Sequence, residues 1–307
     1  MNVLRIGTRG SRLALAQAAQ VKRRLERLNK GLRCRLVVIK TTGDEFQTVE
    51  LFKKTNIGVF TKALEKKLLA GNIDVAVHSL KDLPTVLPKG LVLAAFPKRL
   101  DTGDALISAK RYNLRTLPLA SRVGTGSPRR KSQLKRLRPD LELLDIRGNL
   151  DTRVDKVIRQ KKYDAVVVAK AGLLRLKKFA RYAAPIAPDQ LLPAVGQAAL
   201  GLEARAGDHD TLKLLRRINH PATEKRVLAE RAFLHELRGG CRVPVGVHSA
   251  IKNGRFFLKA AVFSTHSGDC IGGDGSGAAK DHLDIAKQLA RRLLKKGAAK
   301  FLKEARS

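Results

Sequence analysis

Tryptophan is absent from these 307 residues, and aromatic side chains make up only 4% of them. A protein that stacks successive bases needs aromatic platforms, so a single-strand reader of that kind is not expected. There are three cysteines, Cys34, Cys241 and Cys270. They cannot form a disulfide framework, and neither their spacing nor that of the seven histidines matches a zinc site. The expectation is a protein of the reducing cytoplasm that needs no metal. No apolar run approaches the ~20 residues that cross a bilayer. The N-terminus enters a strand-like pattern at Asn2–Ile6 with no signal-peptide layout. No membrane partner is expected. Negative charge is scarce too: 27 Asp and Glu stand against 62 Lys and Arg, a formal net charge of +35.

Such a surplus implies anionic partners. It is spread along the chain, and most of it fits a highly charged, solvated surface. No helix-turn-helix, zinc-finger or RNP motif is present, so sequence-specific nucleic-acid binding is not expected. Weak, salt-sensitive binding of polyanions is. Hydrophobic content of 44% is ordinary for a globular protein, and the length suits two or three domains.

Strand and helix patterns alternate in the first two-thirds of the chain, so the fold class is α/β with two doubly wound lobes. Ser11 is placed to cap a helix whose apolar stripe is Ala14, Ala18, Val21, Leu25 and Leu28. A polar, turn-rich crossover at Pro97–Asp104 and a second crossover at Pro193–Leu202 bracket a second alternating series. After about residue 220 a helix, a hairpin turning at Asn253-Gly254 and an amphipathic helix over Asp281–Leu302 describe a small α+β domain. The expected division is lobe 1 at 1–98 and 199–218, lobe 2 at 99–198, and a C-terminal domain at 219–307. Two internal echoes accompany the lobes. Gly7-Thr8-Arg9-Gly10-Ser11 resembles Gly124-Thr125-Gly126-Ser127, and Asp74-Val75-Ala76-Val77 resembles Asp164-Ala165-Val166-Val167.

The echoing turns suit anions, because a strand–turn–helix junction aims unpaired N–H groups and a helix dipole at a ligand. Ser11 and Ser127 add hydroxyls. Arg9, Arg129 and Arg130 add forked donors. Arg147-Gly148-Asn149 follows its strand in the same way, with Arg153 in the next helix. At the C-terminal ends of strands, these residues are expected to face one cleft. Asp82, in His78-Ser79-Leu80-Lys81-Asp82-Leu83-Pro84, is the lone carboxylate of its motif and suits stabilising a cation or shuttling a proton. His78 is read as a core histidine. In Gly239-Gly240-Cys241-Arg242-Val243-Pro244, paired glycines, a stiffening proline and flanking arginines describe an accessible sulfur biased toward thiolate.

Taken in order, these motifs and Leu192-Pro193-Ala194-Val195-Gly196-Gln197 resemble the porphobilinogen deaminase (hydroxymethylbilane synthase) family almost end to end. The resemblance implies two lobes like type II periplasmic binding proteins and a third domain bearing the cysteine. It implies a dipyrromethane cofactor held by a thioether to Cys241, with Lys81, Ser127, Arg129, Arg130 and Arg147 around it. Four porphobilinogen units would then be added, each losing ammonia, and hydrolysis would release hydroxymethylbilane. Arg9, Ser11, Arg153 and Lys53 would bind substrate, and Asp82 would stabilise the cationic azafulvene. A monomer is expected. The sequence departs from the family pattern at Ile57, where lysine is usual, at Arg238, where glutamate is common, and at Ala198 in place of glycine. Two other classes compete. A non-catalytic binder of organic anions needs neither Cys241 nor Asp82, and a basic nucleic-acid-binding protein uses the surplus charge.

Overall fold

The structure is a computed structural model that describes residues 3–40, 61–240 and 243–305. The chain divides into two compact units, Met1–Leu100 with Ala198–Glu224 and Asp101–Gln197 with Lys225–Ser307.

The first unit opens with β1 (Val3–Thr8), α1 (Arg12–Leu28) and β2 (Arg33–Val38). It continues with α2 (Lys62–Leu69), β3 (Val75–Ser79) and β4 (Leu91–Ala95). The Ser11 hydroxyl accepts the Ala14 N–H, so the expected cap forms. Ala18, Val21 and Leu25 of α1 are buried against Leu4 and Ile6 of β1 and Val75 and Val77 of β3. The second unit holds β5 (Asp104–Ser108), β6 (Arg122–Gly124), α3 (Pro128–Leu137), β7 (Glu142–Leu144) and α4 (Leu150–Ile158). It then adds β8 (Ala165–Ala169), α5 (Lys170–Leu176) and β9 (Ala183–Ile186). The chain returns to the first unit as β10 (Leu200–Arg205), followed by α6 (His209–Arg216).

The two sheets have matching topologies. Their strand orders are β2-β1-β3-β10-β4 and β7-β6-β8-β5-β9. In each, the fourth strand runs against the other four: β10 pairs antiparallel with β3 and β4, and β5 with β8 and β9. The mainly parallel sheets expected from the alternation are therefore present, each with one reversed strand. Those two reversed strands and β9 were not legible as strands. Asp104 and Pro193–Leu202 look like crossover in the sequence because polar and small residues interrupt their apolar runs.

The Asp-initiated echo is a shared structural device. Asp74 accepts the Arg5 backbone N–H at 2.8 Å and its guanidinium at 3.1 and 2.7 Å. Asp164 accepts the Arg122 backbone N–H at 2.8 Å and its guanidinium at 3.1 and 3.1 Å. Each aspartate thus pins the start of its own strand to the start of the neighbouring one.

The second unit also contains α7 (Pro221–Glu236) from Lys225 onward, β11 (Val245–Lys252), β12 (Arg255–Phe263), β13 (Cys270–Ala278), α8 (His282–Leu293) and α9 (Ala299–Glu304). Strands β11, β12 and β13 form an antiparallel sheet. Asn253 and Gly254 both have positive φ, 48° and 71°, as the hairpin turn requires. Phe233, Phe256, Leu258, Leu289 and Leu293 share the core of this part. The glycine-rich β13 was not legible as a strand. A Cβ at Gly277 would stand 2.9 Å from the Ile285 side chain, so glycine lets α8 approach the sheet. The amphipathic helix expected over Asp281–Leu302 is broken at Gly297, whose φ is 97°.

Candidate active site

Strand β3 runs into a short 3-10 turn, Leu80–Asp82. Leu80 and Leu83 are buried at 1% and 2% exposure, and they turn Asp82 outward into an exposed position with Lys81 half-buried beside it. The Leu80 N–H donates to the Ala199 carbonyl at 3.1 Å, tying this turn to the approach of β10. Behind it, Gln17 of α1 bonds Ser79 at 2.8 Å. His78 is a core histidine as expected: its Nε2 lies 2.9 Å from the buried Glu203 carboxylate. Glu65 of α2 is also buried. Burial first, and then the charge of Glu203, raises its pKa.

At the mouth of α1, Arg9 and Ser11 are half-buried, with the Ser11 hydroxyl engaged as the helix cap. In the second unit Ser127 occupies the corresponding N-cap of α3, but its hydroxyl makes no capping bond. Arg129 and Arg130 enter the first turn of that helix and point inward. They are 3% and 5% exposed. Arg129 Nη2 donates to Asp104 at 2.8 Å, and Arg130 donates to the same carboxylate at 2.8 and 3.2 Å. Gln197 adds a fourth donor at 2.9 Å. Burial alone would raise the Asp104 pKa, but the two guanidiniums hold it well below the usual carboxylate range.

Sequence reading missed Asp104 as a partner of these arginines. A signal was present, because Arg130 lies one helical turn before Leu134, which is fully buried. Two guanidiniums against one carboxylate leave one surplus positive charge in a buried cluster. The Nε of Arg129 has no hydrogen-bond partner among the described residues. A surplus cation beside a helix N-terminus, with an uncommitted serine hydroxyl, fits a ligand that carries carboxylates.

The turn after β7 holds Arg147, half-buried, and Asn149, whose side chain caps α4 through the Thr152 N–H at 3.0 Å. Arg153 Nε donates to the Gly148 carbonyl at 2.8 Å, so Arg153 is anchored within the Arg147–Asn149 turn. Arg175 on α5 was not singled out from the sequence, and burial lowers its pKa to about 10. Cys241 and Lys53 lie outside the described residues. Next to Cys241, Gly239 packs closely on α7: a Cβ there would stand 2.6 Å from the Leu234 side chain. The other two cysteines are described. Cys34 is buried, which pushes its thiol up to about 11. Cys270 is half-buried, with Arg136 donating to its sulfur at 3.1 Å. Among the described residues no cluster of His, Cys, Asp and Glu is placed to hold a metal ion, and no helix is long and apolar enough to cross a membrane.

Comparison with known proteins decides the family. Residues 4–213 match the model of the porphobilinogen deaminase, dipyromethane cofactor binding domain, and residues 224–295 match that of the porphobilinogen deaminase, C-terminal domain. The chain belongs to the porphobilinogen deaminase family. It is 45% identical to porphobilinogen deaminase of Moorella thermoacetica, covering 99% of this chain and 97% of that one. It is 44% identical to the Syntrophomonas wolfei protein of the same name, with 100% of both chains covered. Porphobilinogen deaminase of Chlorobium luteolum is 45% identical over 305 residues. The family is one of transferases that carry a dipyrromethane cofactor and build hydroxymethylbilane from porphobilinogen. The departures at Ile57, Arg238 and Ala198 leave that membership intact.

Proposed function

We propose that this chain joins four porphobilinogen molecules head to tail, using Asp82 as the catalytic carboxylate and Cys241 as the attachment point of the cofactor. The observation that carries the reading is the exposed Asp82 carboxylate, held on a turn fixed by two buried leucines in a chain whose family performs this reaction. When bound, the dipyrromethane supplies a free pyrrole α-carbon as the nucleophile.

In each addition the aminomethyl C–N bond of porphobilinogen breaks and its methylene carbon bonds to the free α-carbon of the terminal ring, which the dipyrromethane would supply for the first unit and each added unit would supply for the next. The α-proton is released, and the amine leaves with a proton as ammonium. Asp82 stabilises the positive charge that develops as the nitrogen departs, and it passes the pyrrole proton on. Each pyrrole bears an acetate and a propionate, so binding rests on cations. Lys81, Ser127, Arg129, Arg130 and Arg147 hold cofactor carboxylates. Arg9, Ser11, Arg153 and Lys53 hold those of substrate. In this reading Arg129 offers its unpartnered Nε while its terminal nitrogens remain on Asp104 and on the Leu192 carbonyl. The three-part division at 1–98 with 199–218, 99–198 and 219–307 belongs to the same proposal, as do a cytoplasmic monomer and the absence of a sequence-specific nucleic-acid partner.

The test is the intact mass of the purified protein. A covalent adduct of two pyrrole units is expected, and Cys241→Ser is expected to lack it and to turn over little or no porphobilinogen. A normal adduct in that variant would overturn the role of Cys241. Wild-type protein without any adduct would favour a non-catalytic binder of organic anions.

A further inference from the structure

The segment that carries Asp82 meets β10 at alternate residues. The Ala199 carbonyl accepts the Leu80 N–H at 3.1 Å. Gly201 makes room for the Leu80 side chain, which would stand 2.9 Å from a Cβ at that position. The Glu203 carboxylate bonds His78 Nε2 at 2.9 Å. Strand alternation places this last pair on one face of the sheet. Val75 and Val77 of β3 and Leu200, Leu202 and Ala204 of β10 belong to the core under α1. Ala76 packs with Leu64 and Leu68 of α2 on the other face, and His78 and Glu203 follow that face. Glu65 of α2 stands there too, close enough for the charges of Glu203 and His78 to act on it.

Stability does not explain a polar pair at this place. His78 is 5% exposed and Glu203 is fully buried, and Glu203 Oε1 has no hydrogen-bond partner among the described residues. An unpaired buried carboxylate oxygen weakens a fold, whereas two apolar side chains would extend the surrounding core of Leu64, Leu68, Ile73 and Leu91 without that loss. Register does explain it. β3 pairs with β10 from Ser79–Leu200 to Ala76–Glu203. On its other side β10 shifts register against β4, because Leu202 faces Ala95 while Glu203 faces Leu93. A shifted ladder is locally disrupted, and apolar contacts alone tolerate sliding. The His78–Glu203 bond is directional. It crosses diagonally from the residue opposite Gly201 to the residue opposite Ala76, and it locks β3 against β10 just before the Asp82 turn.

We propose that Glu203 and His78 are positioning residues for the reaction, holding β3 in the register that places the Asp82 carboxylate against the departing nitrogen. The inference rests on Asp82 being the catalytic carboxylate. A group that stabilises developing charge works only within a narrow range of distance, and a displacement of about 1 Å can lower a rate about a hundredfold. Loss of the bond should loosen the turn without unfolding it, because Gln17 still restrains Ser79 from the α1 face at 2.8 Å.

The test is steady-state turnover of full-length holoenzyme whose dipyrromethane content is checked by intact mass. His78→Leu/Glu203→Leu replaces the bond by apolar packing. Its denaturant midpoint should lie at or above wild type, while kcat falls about tenfold and KM changes less than about twofold. If the leucines prevent folding, His78→Met/Glu203→Met, whose side chains adapt to irregular gaps, takes their place. Glu203→Gln keeps an oxygen acceptor for His78 and should hold kcat within about threefold of wild type. In an Asp82→Asn background the apolar pair should lower the residual kcat less than about twofold, because the group being positioned is gone. Wild-type kcat in the apolar pair would overturn the proposal. So would an equal fold loss in the two backgrounds, or a loss in Glu203→Gln as large as in the apolar pair. Failure of both apolar pairs to fold would make the bond structural and overturn it as well. Near-normal turnover of Asp82→Asn alone would overturn the reading of Asp82 itself, and the proposal with it.

Discussion

The Thr8–Ser11 turn and the Thr125–Ser127 turn begin alike and end differently. Each follows a strand whose first residues are clamped by an aspartate, at Arg5–Asp74 and at Arg122–Asp164. Each carries a fully buried threonine, Thr8 or Thr125. In the first, Arg9 precedes the cap and Ser11 is used to close the helix. In the second, the arginines come after the cap, so helical geometry turns them into the body of the unit and onto Asp104. Moving an arginine across a helix cap converts a residue of the turn into a buried anchor. The serine changes role with it, engaged in one turn and uncommitted in the other.

The largest effect expected from this contrast is at Asp104. Asp104→Asn leaves Arg129 and Arg130 buried without their counter-charge and should destabilise the protein by about 3–5 kcal/mol in denaturant unfolding. Asp164→Asn, whose partner pair is well exposed, should move the midpoint far less. The pH dependence follows from the lowered Asp104 pKa. Its contribution is fully present above about pH 4, the unfolded value, and is lost as pH falls toward the lower folded value. The stability of Asp104→Asn should therefore fall less steeply on acidification. Equal stabilities for the two variants would break the comparison.

Asp82→Asn comes next, and it should separate chemistry from structure. Turnover should drop by about 10²–10³, while the dipyrromethane mass and the unfolding midpoint stay near wild type. Near-normal turnover with the adduct attached would exclude a catalytic carboxylate at that position. The smallest effect distinguishes the two serines. Ser11→Ala removes a working cap and should cost about 1 kcal/mol. Ser127→Ala should leave stability unchanged and show its effect in cofactor retention, read by intact mass. Matching losses of stability would mean that the two turns are equivalent after all.

Much of this was legible because it is local. The cap at Ser11, the start of α3 at Pro128 and the Asn253-Gly254 turn are each written within a few residues. So were the paired Asp-initiated strands, although the identical clamps on Arg5 and Arg122 required the fold. What stayed hidden depends on distant pairing. Asp104 sits beside Arg129, Arg130 and Gln197 only when β5 and α3 are packed together. β13 alternates glycine with small and polar residues, so it has no apolar period of its own and becomes a strand because β12 and α8 shape it. The orientation of Arg130 lay between these cases: the register with the buried Leu134 indicated it, but Asp104 as its partner required the fold.

Strand β10 has a consequence for how the molecule is made. It lies between β3 and β4, which do not pair with each other. During synthesis those two strands emerge first, and their shared partner follows only after the second sheet has been translated. At about 5–20 residues per second, the roughly one hundred intervening residues take about 5–20 s. Through that interval the nascent first sheet has open inner edges, and the sheet made second is the one able to finish first.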